Sequence, residues 1–179
     1  MKKLFINLDK YTQMRVNVLL IRKATLRDAE KIVQIHVTTW KISYRGYIKD
    51  SILDSSHFDV SEKRIEKMKI PVEKGLVFVV EEAGEIKGFL GLDDFKIPLA
   101  EIKVFYISPQ SQHKGYGKKL LDTVKADLKS QGVQKINLFT LKNYPVSNQF
   151  YQKQGFCQTG REEFLAWANV WCHEYEIEL

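Results

Sequence analysis

The segment from Glu101 to Leu128 constrains the fold more than any other part of this 179-residue chain. Ile102 to Ile107 is dense in β-branched and aromatic residues and reads as a strand. Ser108-Pro109 stops it, because proline fixes its own φ and biases the preceding residue away from helix. A polar loop carrying Gly115 and Gly117 follows, then Leu120, Leu121, Val124 and Leu128 at helical spacing. A helix start has unpaired N–H groups and the positive end of the dipole, and glycines there let a bulky anion approach the backbone. A diphosphate-bearing ligand suits this loop, with Lys114, Lys118 and Lys119 adding charge. Turn geometry alone accounts for the two glycines equally well. Two phosphate motifs are excluded. A P-loop would end Gly-Lys-Ser/Thr, whereas Gly117 is followed by two lysines, and the dinucleotide fingerprint needs a third glycine where Leu120 stands.

The remainder of the chain reads as alternating strands and helices. Residues 1–15 lack clean periodicity and form either a loose extension or an extra edge strand, leaving one domain over residues 16–179. Val16 to Arg22 is a first strand, and Thr25 with Asp28 makes a capping-box-like start to a helix through Ala29, Ile32, Val33, His36 and Trp40. A second helix is expected from Ser61 to Lys69, stopped by Pro71. Leu76 to Val80 and Ile86 to Leu92 make a hairpin about Ala83-Gly84. After the central helix, ended by Gly132, come a strand at Ile136 to Thr140 and a short helix opened by Pro145. Strands at Cys157–Leu165 and Trp171–Leu179 finish the chain. The expected class is mixed α/β (α+β), with about seven mostly antiparallel strands and about four flanking helices.

Composition narrows the function classes. The net charge is +6, but the basic residues are spread among acidic ones, so no nucleic-acid-binding face is indicated. No apolar stretch approaches the ~20 residues of a membrane span, and Met1 to Ile6 is interrupted by Asn7, Asp9 and Lys10 before a signal-peptide core develops. A cytoplasmic protein without a membrane partner is expected. Cys157 and Cys172 form no CxxC pair, so no metal site is expected.

Gln112-His113-Lys114-Gly115-Tyr116-Gly117 matches the Q/R-x-x-G-x-G/A signature, and the chain resembles the GNAT superfamily of N-acetyltransferases. The strand ending Phe105-Tyr106-Ile107-Ser108-Pro109 is similar to that family's fourth strand. Phe150-Tyr151-Gln152-Lys153-Gln154-Gly155-Phe156 is similar to its late FYxxxGF element. The match covers roughly the C-terminal half. It implies a GNAT-like domain whose fourth and fifth strands splay apart around the pantetheine arm of acetyl-CoA, the cosubstrate. Phe105, Tyr106, Ile107 and Ser108 would lie along that arm, the last three where the family pairs backbone groups with it, and the backbone of Gln112, His113, Lys114, Gly115, Tyr116, Gly117 and Lys118 would wrap the pyrophosphate. His113 reads as exposed or phosphate-adjacent rather than as a base.

The resemblance also implies catalytic roles. Tyr151 matches the tyrosine that protonates the departing thiolate, against the alternative of a core aromatic beside Phe150 and Phe156. Asn143 or Asn148 would contact the coenzyme, although Asn143 lies one residue further from Tyr151 than the family's usual spacing. Glu101 is the candidate base, four residues before Phe105 and hence expected on the same strand face; an exposed strand-end glutamate, or water as base, reads equally well. The acceptor would be a small-molecule or peptide amine. Trp40, Tyr44, Arg45, Tyr47, Asp93, Asp94, Trp167 and Trp171 are its candidate contacts, and aromatics beside Asp93 and Asp94 would suit a cationic amine such as a polyamine. Trp40 to Gly46 is similar to a WxxxYRG pattern in one group of small bacterial-type GNAT proteins. The expected function is acetyl transfer from acetyl-CoA to a primary amine in a ternary complex. The alternative is a non-catalytic acyl-CoA-binding sensor. Assembly is left open, with a homodimer among the options.

Overall fold

The computed structural model describes residues 19–56 and 59–179. Among these, seven strands form one sheet: β1 (Leu19–Lys23), β2 (Val77–Glu82), β3 (Glu85–Leu92), β4 (Leu99–Ile107), β5 (Lys135–Leu141), β6 (Cys157–Leu165) and β7 (Val170–Glu178). The order is β1-β2-β3-β4-β5-β7-β6, and only β4 and β5 run parallel. Five α-helices accompany it: α1 (Ala29–Ser43), α2 (Asp50–Leu53), α3 (Glu62–Glu73), α4 (Tyr116–Ser130) and α5 (Pro145–Lys153). The expectations for residues 1–15 and for Val16 to Val18 lie outside the described residues.

Local chemistry accounts for most of the element ends. The Asp28 carboxylate accepts from the backbone N–H and the hydroxyl of Thr25, closing the turn that feeds α1. Arg22 on β1 bridges Asp28 and Glu81, which holds the Asp28 carboxyl below its usual range and fastens the start of α1 to β1 and β2. Ala83 and Gly84 both take positive φ, 53° and 80°, a two-residue turn whose twist matches the strands it joins.

Two expectations need correction. α3 does not stop at Lys69 but passes through Pro71 to Glu73. The proline costs the Lys67 carbonyl its partner only in the last turns, while Val72 buries against the sheet and the N–H groups of Lys74 and Leu76 return to Ile70 and Pro71. α2 was not foreseen, because four residues with one buried side chain, Leu53, show no periodicity.

Three clusters fill the space between the layers. On one face of the sheet, Leu120, Leu121, Val124 and Leu128 of α4 bury completely against Leu90, Ile102, Ile136 and Leu138. On the other, Ile32 and Ile35 of α1 and Val72 of α3 pack on Val77, Val79 and Phe89. The third joins Trp40 and Tyr44 of α1 to Leu53, Leu141, Ala168 and Cys172. Cys172 is thus a buried free thiol, and Cys157 an exposed one.

Two departures from regular sheet position the site. β4 and β5 pair only from Leu99 opposite Lys135 to Ile102 opposite Leu138; beyond that β4 keeps β3, β5 keeps β7, and the two strands part. The register against β3 also slips, with Leu92 opposite Ile102 but Gly91 opposite Val104, so Lys103 is an extra residue, a β-bulge.

Candidate functional site

Beside the end of β4 that has parted from β5, a cleft of about 510 Å³ is enclosed by β4, the loop into α4, α5 and the end of α1. One end is the loop into α4. His113 and Gly115 both have positive φ, 62° and 81°, the kind of backbone in which successive amides can turn toward one side. The amides of residues 113–118 donate to no backbone or side-chain oxygen among the described residues, and Lys119 N–H, bonded to Gly115, is the first with a helical partner. Six open donors at a helix start can receive an anion without any cationic side chain.

The side chains of that loop do other work. Tyr116 buries its ring and donates its hydroxyl to Glu82 at 2.7 Å, so only its amide is left to the site. Gln112 donates to the Ile107 carbonyl at 3.1 Å and folds the loop onto the end of β4. His113 is exposed on the cleft wall. Lys118 lines the cleft while paired with Asp122, whereas Lys114 is exposed and outside the lining.

Phe105, Tyr106 and Ile107 form the β4 wall, and α5 supplies Ser147, Phe150, Tyr151 and Lys153 opposite. Tyr151 is 8% exposed, its ring edge-on to Phe150 and Phe156 at 5.3 and 5.6 Å. Burial pushes its phenol well above the usual range, so it stays protonated at neutral pH, and its hydroxyl has no hydrogen-bond partner among the described residues. The far end belongs to α1 and the turn before α5, with Thr39, Ser43, Tyr44 and Tyr144. There Tyr44 stands edge-on to Trp40 at 4.7 Å and to Tyr144 at 5.1 Å, while Tyr47 covers Tyr144 and Trp167 covers Trp40.

Other predicted residues sit elsewhere. Glu101 does not share a face with Phe105. The bulge at Lys103 breaks the alternation, so Glu101 falls on the face of Val104 and Tyr106, where it pairs with Lys103 at 2.7 Å and does not line the cleft. Asn143 is exposed in the turn after β5. Asn148 donates to the carbonyls of Leu141 and Tyr144, clamping that turn, and neither asparagine lines the cleft. Asp93 pairs with Lys103, Asp94 with Lys74, and Arg45 with Asp50 and Asp54. Tyr144, Thr39 and Ser43 were missed, for nothing in their local sequence marks them; only the packing of α1 against the β5–α5 turn brings them together.

Residues 30–156 match the Acetyltransferase (GNAT) family. The chain belongs to the GNAT family of acetyltransferases. Among its relatives is a spermidine N(1)-acetyltransferase of Thermoplasma acidophilum, 25% identical over 76% of this chain and 86% of the relative. The structure of the PaiA N-acetyltransferase from the same organism, in complex with coenzyme A, superposes with a TM-score of 0.73 at 23% identity, covering 89% of this chain and 99% of that one. YncA of Salmonella typhimurium, a putative acetyltransferase solved with acetyl-CoA, gives a TM-score of 0.69 at 18% identity, covering 90% and 94%. These structures share the GNAT fold.

Proposed function

We propose that this GNAT acetyltransferase binds acetyl-CoA along the β4–β5 cleft and transfers its acetyl group directly to a primary amine in a ternary complex. The observation that carries the reading is the run of six unpartnered amides, residues 113–118, on a loop of which all but Lys114 line the cleft that Tyr151 also lines. The volume and the donor set suit a coenzyme with a diphosphate at one end and an acyl thioester at the other. The relatives' bound CoA and acetyl-CoA, and the amine acceptor named for one of them, agree with it.

Acetyl-CoA supplies the activated acyl thioester. The chain's own residues bind, orient and move protons. The loop amides of residues 113–118 hold the diphosphate, and Phe105 and Phe150 exclude water from the passage between. As the amine nitrogen bonds the acyl carbon and the carbon–sulfur bond breaks, Tyr151 gives its phenolic proton to the departing sulfur and takes one back from water as the products leave. A phenol kept protonated by burial enters the step as a proton donor. The proton leaving the amine passes to water, because Glu101 is held by Lys103 away from the cleft.

Calorimetric titration with acetyl-CoA, followed by thiol release with a panel of amines, tests the proposal. Binding with amine-dependent release supports it. Binding with no release from any amine points to the acyl-CoA sensor instead, and no binding removes the role of the 113–118 loop.

A further inference from the structure

We infer that the acceptor end of the cleft selects an amine carried on an apolar or aromatic body with a single positive charge, and disfavours polyamines. The inference rests on the acetyl-transfer reading above. With the diphosphate at the α4 loop and the thioester directed toward Tyr151, an acceptor reaches the acyl carbon only from the opposite end, past Ser43, Tyr44 and Tyr144.

A polyamine carries further ammonium groups beyond the reacting one, and each needs a counter-charge when desolvated. None is offered. Among the described residues no aspartate or glutamate lines the cleft. The carboxylates nearest in sequence to Tyr44, Asp50 and Asp54, are held by Arg45. Those expected to meet a cationic acceptor, Asp93 and Asp94, are held by Lys103 and Lys74. Nor can the phenols serve as anions, since burial pushes Tyr44 and Tyr106 well above their usual range.

The end does offer rings. Tyr44 and Tyr144 line it edge-on to each other at 5.1 Å, with Trp40 packed on Tyr44 at 4.7 Å, an aromatic wall against which an apolar body loses water and a lone ammonium can be held. That is the chemistry of an arylalkylamine or an aliphatic monoamine. Spermidine, the substrate named for one relative, lacks the apolar body and carries the extra charges.

The test has two arms. Calorimetry measures phenethylamine and spermidine binding to the protein saturated with CoA, which cannot react. Thiol release with acetyl-CoA measures kcat/KM for both amines. Phenethylamine should lead by about tenfold or more in each arm. Ser43→Asp, which sets a carboxylate into the acceptor end, should shift the ratio toward spermidine by about tenfold. Equal or better binding of spermidine overturns the inference, and so does failure of both amines to bind. Should acetyl-CoA not bind, the functional reading falls and this inference with it; coenzyme binding without the preference for phenethylamine overturns this inference alone. If Ser43→Asp does not fold, the wild-type ratio alone decides.

Discussion

The indole Nε1–H of Trp40 donates to the hydroxyl of Tyr106 at 2.7 Å, joining α1 to the free end of β4 across the cleft's inner wall. Tyr106 is further covered by His36, stacked on its ring at 4.9 Å. This contact holds the α1 side of the cleft against a strand that has lost its β5 neighbour. Trp40→Phe removes the donor and trades the buried indole for a smaller ring. The expected cost is about 1–3 kcal/mol, read as a lower urea midpoint at unchanged slope. Acetyl-transfer activity should fall more than acetyl-CoA affinity, because the acceptor wall moves and the 113–118 loop does not.

Tyr151→Phe keeps the ring among Phe150 and Phe156 and deletes only the hydroxyl. Turnover should drop by about 10²–10⁴-fold with acetyl-CoA affinity unchanged. Calorimetry and single-turnover thiol release separate the two quantities. Undiminished turnover would remove Tyr151 from the chemistry.

Gly88 lies where a Cβ would stand 2.3 Å from Ile107 Cδ1 and 2.7 Å from the Tyr106 carbonyl oxygen. The second neighbour is backbone and cannot rotate away. Gly88→Ala should therefore destabilise by about 1–3 kcal/mol and displace the end of β4. Both a lower melting temperature and weaker acetyl-CoA binding are expected; wild-type values for both would mean that β3 and β4 separate without cost.

His36 carries the pH dependence. Burial, helped by the nearby Arg64 charge, lowers its pKa from 6.5 to about 4. Between those values the unfolded chain binds a proton that the folded chain does not, so stability rises with pH across that window. The contribution is complete above pH 6.5 and lost as pH falls toward 4, at most about 3 kcal/mol in all. His36→Leu should flatten the stability profile from pH 4 to 6.5 in urea titrations, while an unchanged profile would assign the dependence to other groups.

Residues within a few positions of each other determined much of this molecule. Glycine placement and apolar spacing located the strand, loop and helix from Ile102 to Leu128; Ala83-Gly84 marked the hairpin, and Thr25 with Asp28 the entry to α1. Those signals are local because propensity, capping and period-2 or period-3.6 patterning act along a few bonds. Pro71 shows the limit even there, since burial of Val72 outweighed one lost hydrogen bond.

Tertiary structure alone decided the rest. Whether Glu101 shares a face with Phe105 depends on Lys103 being left out of the ladder against Gly91 and Leu92, and a bulge is defined only by the partner strand's register. Tyr44 and Tyr144 meet at 5.1 Å although far apart in sequence, because α1 and the β5–α5 turn pack on one cluster. The cleft itself arises where β4 and β5 take their hydrogen bonds from β3 and β7 rather than from each other. That is a relation between strands, and no window of residues encodes it.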